Sequence, residues 1–578
     1  MATEETMWRV GHRPDEQRCI GIGGRLRAQM RQQRPRHPTT QDGGRQPGDQ
    51  RRMFVVESAH TAPHAHSRRS ETHRPTLPDT CTARGGHVHD RPAVAQPMDP
   101  VRAILPAVVL VARLRTFART RAARHLLVVL AVGFALRLGW ALWAARTHPQ
   151  SVIESGDQYS YWYFGNDMAH GNGYRSYMTG KPTSYYPVGF PALLAVVYWI
   201  GMHTPLPDNQ AHLTAGLHVL LSTASIALVY FIARKAFTAR IGIIAAAIVA
   251  LFPSLILGVA TFSVETTFIF TFLLCVAILV DHDWSSGPMS RRHLLWFGLA
   301  LGCSVVVRPF SFPIMIGLGV AALCAGRGWR GALRHLGWAT IPFLLMLMPL
   351  TIRNEIVFHR FIPISTNLGD GMCMSRFPGS NGGFSWADHA WCADPNLPEE
   401  VRNPANTRAG LRFIVRNPGE ELRQIPKRFL LMMEQDHGIL PEVLGNGSHL
   451  TLPSAVYNAI TFTTDGYYHL SWMLALPGLG LLFLGWRRDR RCGPRRAIIG
   501  VTLIGLQLLP IASWGNPRFH IPMLPLLAII DAASIMWVID RIRRHNPAAL
   551  QTSTAPDQQP ADAQDSDVPA GAMNTAVG

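Results

Sequence analysis

The feature that most constrains this chain is a succession of apolar stretches separated by short segments rich in arginine. Crossing the hydrocarbon takes roughly 17–25 apolar residues, because each backbone polar group must be paired within the helix. About ten stretches come near that rule: 125–145, 213–232, 241–259, 262–280, 294–306, 310–325, 336–352, 470–486, 497–514 and 521–539. The expected fold is an all-α membrane protein with about ten transmembrane helices. The pair 294–306 and 310–325 is short and reads either as one kinked helix or as two.

Charge between the stretches decides that point. Arg234, Lys235 and Arg240 lie between the second and third stretches. Arg291 and Arg292 follow the fourth, and Arg327, Arg330 and Arg334 follow the sixth. Arg487, Arg488, Arg490, Arg491, Arg495 and Arg496 follow the eighth, and Arg541, Arg543 and Arg544 follow the last. Two separate helices put all these clusters on one side, which the positive-inside rule makes cytoplasmic. Arg308 and Pro309 then form an outer hairpin. The net charge of +18 is thus mostly an orientation signal, and no nucleic acid is expected as a partner.

The expected organisation follows from these sides. Residues 1–124 form a basic cytoplasmic N-terminus, poor in aliphatics and expected to be disordered. Met98 is a candidate for the natural start, and nothing before residue 100 resembles a cleaved signal peptide. Residues 125–352 form an N-terminal transmembrane module with a first outer loop at 148–212. In that loop 188–202 is apolar but too short to span, and should lie along the interface as a juxtamembrane helix. A large loop at 353–469 should form an extracytoplasmic subdomain. It holds Cys373 and Cys392, which can form a lasting disulfide there. Residues 470–540 return to the membrane, and 541–578 form a polar, disordered cytoplasmic tail. Cys275, Cys303 and Cys324 lie in apolar stretches and should pack as small hydrophobes.

Five short polar segments gather at the outer ends. Asp157, in Glu154-Ser-Gly-Asp-Gln-Tyr159, reads as the N-cap of a helix over 158–169. Its second reading is a general base at the membrane boundary. Lys181, Tyr185 and Tyr186 share a proline-stiffened segment suited to a phosphate or sugar hydroxyls, or simply to an aromatic belt. Arg308, between two apolar stretches, needs a partner or a wet cavity, and Glu265 is the structural alternative to a ligand. Arg353 and Arg518 each stand at an outer helix end, where an isolated Arg usually snorkels to the headgroups, but their place against the charge bias favours a bound anion more than it would for an inner Arg. Asp388 and His389 find no second pair of ligands, so no metal residue is assigned. Asn446-Gly-Ser448 fits a glycosylation sequon but is short and common. No Gly-rich phosphate loop is present, which leaves a cytosolic nucleotide-sugar donor without support.

These segments resemble the motifs of the GT-C superfamily of integral-membrane glycosyltransferases. The nearest branch is the bacterial one related to dolichyl-phosphate-mannose–protein mannosyltransferases and lipid A aminoarabinose transferases. The likeness rests on Gly156-Asp-Gln-Tyr159 with Ala169-His-Gly-Asn-Gly-Tyr174; Pro182-Thr-Ser-Tyr-Tyr-Pro-Val-Gly-Phe-Pro191; Val307-Arg-Pro309; Pro349-Leu-Thr-Ile-Arg-Asn354 with Phe361-Ile-Pro-Ile-Ser-Thr-Asn367; and Gly515-Asn-Pro-Arg-Phe-His-Ile-Pro522. It implies inverting transfer of a sugar from a polyprenyl-phosphate-linked donor to a glycan, lipid or protein acceptor. Asp157 would be the base, and Lys181, Arg308, Arg353 and Arg518 would hold the donor phosphate. No cofactor is implied, and a divalent metal is left open. Gln158 replaces the second acid of the mannosyltransferases, and Tyr186-Pro-Val has one proline where many relatives have two. The rival readings are a carrier or flippase for a lipid-linked substrate, which would place charges mid-span, and a wall-polymer ligase or polymerase.

Overall fold

A computed structural model describes residues 120–147, 156–205, 209–385, 392–444, 452–484 and 492–545, all within the unit Gln96–Gly578. The expectations for the basic N-terminus, the C-terminal tail, Met98, Glu154, Asp388, His389, the Asn446 sequon and Arg487 to Arg491 lie outside the described residues, apart from the last few residues at each boundary. Among the described residues the structure is helical, with no strand and two isolated bridges, Arg175–Pro182 and Gly383–Gly515.

Helix α1 (Arg121–Thr147) is followed by α2 (Gly156–Ala169) and α3 (Gly189–Met202). Then come α4 (Gln210–Ala236), capped by the Asn209 side chain, and α5 (Ala239–Leu251), capped by Thr238. A short α6 (Pro253–Leu257) leads to α7 (Glu265–Asp281), α8 (Arg291–Val307), α9 (Phe312–Cys324) and α10 (Gly328–Phe358). The next four are α11 (Leu368–Cys373), α12 (Glu399–Arg416), α13 (Pro418–Met433) and α14 (Ile439–Leu444). The chain closes with α15 (Ser454–Leu484), α16 (Gly493–Ser513) and α17 (Leu524–His545). Among the described residues, five helices are long and apolar enough to cross a membrane: α1, α4, α10, α16 and the run Pro517–His545.

The stretch 241–259, expected as one span, is broken, and its two pieces meet at 61°. Phe252 is extended and Pro253 has no N–H to continue the ladder. The carbonyls freed at the end of α5 are taken up by Arg137 of α1, which donates to Ala250 O at 2.9 Å and to Val249 O at 3.0 Å. Ser222 Oγ accepts a third bond at 2.7 Å. A buried guanidinium thus replaces the missing backbone donors. The stretch 294–325 does form two helices, with Arg308 and Pro309 at the junction. The helices also run further into 353–469 than expected, since α10 continues to Phe358 and α15 already starts at Ser454. No Gly or Pro stops α10 after Ile352, and it ends only where His359 turns left-handed.

Several arginine-bearing helix ends meet at one end of the bundle. Arg495 Nε donates to Val280 O at 2.8 Å and its Nη2 to His282 O at 2.9 Å. Arg496 Nε reaches Ala236 O, and Lys235 pairs with Asp281 at 2.6 Å. From Asp281, α7 runs 17 residues, about 25 Å, to Glu265 at the opposite end. There the ends of α8 and α16 and the entry to α17 meet.

Candidate active site

Five elements converge where α7 begins. Asp157, expected as the cap of a helix over 158–169, lies instead inside the first turn of α2, because the helix already begins at Gly156. Tyr186 stands just before α3 and is fixed by close packing at Gly189: a Cβ there would lie 2.6 Å from Val306 O of α8. Arg308 follows α8. Arg518 lies in a 3-10 turn, Pro517–Met523, whose cap is the Asn516 side chain. Glu442 comes from α14.

These side chains form one charged cluster. Tyr186 Oη donates to Asp157 Oδ1 at 2.6 Å. Arg518 lies 3.3 Å from Asp157 Oδ2, 3.3 Å from Glu265 Oε1 and, through Nε, 3.2 Å from Glu442 Oε1. Arg308 Nη1 donates to Glu265 Oε1 at 2.8 Å, and Ser263 donates to the other Glu265 oxygen. Asp157 is the open member, with 42% of its side chain exposed against 3% for Glu265. Tyr186 and Arg518 each occupy one of its oxygens, which leaves further acceptor capacity on a half-exposed carboxylate. Burial holds the Tyr186 phenol well above its ordinary range, and the Asp157 charge adds to this, so Tyr186 stays a donor. Burial also pushes Glu442 up to about 7, Arg518 pulling it back and the Glu265 and Asp157 charges adding to the rise.

A second layer fixes the tyrosine segment. Glu399 of α12 accepts from Thr183 Oγ1 at 2.7 Å and Ser184 N at 2.5 Å. Tyr185 Oη donates to Asp370 at 2.9 Å, and its ring packs edge-on against Tyr186. Asp370 is also held by Asn406 at 2.8 Å and Arg402 at 3.5 Å. The Cys373–Cys392 disulfide forms and joins α11, which carries Asp370, to the segment leading into α12.

The structure therefore brings Asp157, Tyr186, Arg308 and Arg518 together, with Tyr185 beside them. Arg353 is placed differently. Its guanidinium donates to Thr183 O at 2.9 Å, Asn354 Oδ1 at 2.9 Å and Tyr174 O at 3.2 Å, bracing the tyrosine segment from behind. Lys181 is exposed, and its ammonium forms no ion pair with the cluster among the described residues. Glu442, Asp370 and Glu399 were missed by sequence reading. Glu265 carried a signal, an acid in an apolar run, whereas nothing around Glu442 marks it. Among the described residues no three His, Cys, Asp or Glu side chains converge as a metal site would.

No protein-family model matches the chain, and no protein of curated function matches its sequence. Among solved structures it is similar to the oligosaccharyltransferase of Archaeoglobus fulgidus in the apo form, with 14% identity and a TM-score of 0.45 over 76% of this chain and 52% of that one. The same enzyme with Zn and sulfate gives 14% and 0.42 over 74% and 51%. ArnT from Cupriavidus metallidurans bound to undecaprenyl phosphate gives 12% and 0.34 over 75% and 81%. Both are GT-C membrane glycosyltransferases. The chain spans about half the length of the oligosaccharyltransferase. These likenesses are loose and bear no weight on which residues act here.

Proposed function

We propose that this protein is a membrane glycosyltransferase that moves a sugar from a polyprenyl-phosphate-linked donor to an acceptor hydroxyl at the outer leaflet, with inversion. The observation that carries the reading is the exposed carboxylate of Asp157, held by Tyr186 on one oxygen and Arg518 on the other, at the mouth of a buried Arg–Glu cluster. Asp157 takes the proton of the acceptor hydroxyl as its oxygen bonds to the anomeric carbon. The bond from that carbon to the phosphate oxygen breaks, and polyprenyl phosphate leaves with the electron pair.

Developing charge on the phosphate needs preplaced cations. Arg518 suits that role because its carboxylate contacts, at 3.2 to 3.3 Å, are longer than the roughly 2.7–2.9 Å of a well-formed charge-assisted bond. They can lengthen as a phosphate enters. Arg308, bound tightly to Glu265, supports the field from behind. Arg353 and Lys181 are assigned bracing and peripheral roles. Ten spans, with the arginine-rich end cytoplasmic and the cluster outside, complete the proposal. A charge cluster at one end of the bundle favours transfer over a carrier, which would need such groups near mid-span.

The test uses purified protein in proteoliposomes with polyprenyl-phosphate sugars and the host's surface glycans as acceptors. Asp157→Asn should lose about 10²-fold or more in rate with normal membrane abundance, while Asp157→Glu keeps part of it. Full activity in Asp157→Asn would refute the base role.

A further inference from the structure

Helix α13 is built inside out. Its covered face carries charge: Gln424 and Arg428 are fully buried along with Met432, and Arg428 donates to Glu421 at 2.6 Å and to Gln424 at 2.5 Å. Arg376 joins Glu421 at 3.0 Å and reaches Ser513 O at 2.9 Å, at the end of α16. The uncovered face is apolar. Leu422 is 67% and Leu430 64% exposed, with Ile425 and Phe429 between them on the same stripe. A helix facing water buries that stripe and exposes the ion pairs. The reversed order means that an apolar phase lies outside α13. Arg423 and Lys427, four residues apart, are exposed along one edge of the stripe; their protein contacts are long, 3.9 Å to Glu420 and 3.4 Å to Ser380 O, so their stems can swing the charges into a headgroup layer.

The occupant is identified by continuity and by length. The helix packs on α16 and the Pro517–Met523 turn, and α16 itself leaves Ile504 and Leu508 uncovered on a helix apolar enough to span. At 16 residues, about 24 Å, and carrying buried charge, α13 is too short and polar to cross. We propose that α13 lies in the plane of the bilayer boundary at the active-site end, with Leu422, Phe429 and Leu430 among acyl chains and Arg423 and Lys427 at the headgroups. The lipid surface is thereby a structural partner of the site. Gly515 is pressed on α13, since a Cβ there would lie 2.7 Å from Arg428 O, and Gly515 N donates to Gly382 O at 2.9 Å. Three residues on, Arg518 meets Asp157. The helix is thus packed directly on the turn that delivers Arg518. The inference rests on the transferase reading only in calling this end of the bundle the active-site end.

The test places a benzoylphenylalanine photocrosslinker at position 422, 430 or, as a solvent control, 395, in the full-length protein in phosphatidylcholine nanodiscs. Mass spectrometry then reads the adducts. Phosphatidylcholine adducts at 422 and 430 but not at 395 are expected, with thermal midpoints within a few degrees of wild type. Cross-links to a second protein copy, or no lipid adduct at either position in a folded variant, would overturn the proposal. The readout is contact with lipid, so it is unaffected if sugar transfer fails.

Discussion

Arg518 reaches three carboxylates, and none of those contacts is short. Its neighbour Arg308 has one partner at 2.8 Å, Glu265, which is almost fully buried. Removing Arg308 leaves the buried Glu265 carboxylate with only the longer Arg518 contact and the Ser263 hydroxyl, at a cost of about 1.5–3 kcal/mol for the lost charge-assisted bond. Arg308→Ala should therefore lower the thermal midpoint and membrane abundance. Arg308→Ala combined with Glu265→Ala should recover most of that stability while transfer stays low, which thermal unfolding in detergent can measure. Glu442 gives a pH signature. Its carboxyl is raised from an ordinary 4.5 to about 7 by burial, so the folded protein keeps a proton that the unfolded chain releases. Stability then falls as pH rises from about 4.5 to about 7 and levels off above. The drop is on the order of 3 kcal/mol. Glu442→Gln should flatten that slope in midpoints taken from pH 5 to pH 8, and an unchanged slope would remove Glu442 from the account.

At the scale of elements, the site depends on close approaches and staples remote from the reacting atoms. Where α3 meets α8, an added methyl at Gly189 would collide with backbone, not with a movable side chain. Gly189→Ala should cost about 1–3 kcal/mol and shift Tyr186 off Asp157, so transfer should fall further than abundance. The Cys373–Cys392 bridge spans a sequence separation of 19 residues, worth about 3 kcal/mol in the chain-entropy account. It ties together the two elements whose Asp370 and Glu399 hold Tyr185, Thr183 and Ser184. Cys373→Ser should therefore slow transfer several-fold and lower the midpoint, as should a membrane-impermeant reductant applied from outside.

For the whole molecule, α7 sets the distance between two chemically opposite ends, with Lys235, Arg495 and Arg496 gathered at one and Asp157, Arg308 and Arg518 at the other. An impermeant thiol reagent on intact cells should label Lys181→Cys, which is exposed near the site end, and should reach Arg544→Cys only after permeabilisation. The opposite pattern would invert the proposed topology.

The apolar stretches, their order and the polar groups at their ends are local properties, set by run length and by the cost of burying an unpaired backbone or charge. The α8–α9 break at Arg308 was readable in this way, and Cys373 and Cys392 stood out as a possible pair, whereas the helix expected over 158–169 with Asp157 as its cap begins at Gly156 and takes Asp157 into its first turn. The convergence of Asp157 with Arg518, 361 positions apart, came only through the suggestion of a family likeness. The rest needed the fold. Glu442 enters the cluster because α14 packs on the broken α5–α6 span, and that break is itself stabilised by Arg137 from another helix. Lys181 and Arg353 looked equivalent to Arg518 as outer cations. Only tertiary packing separated a brace and an exposed lysine from an arginine beside the base, because a side chain's partners come from distant segments that no local pattern encodes.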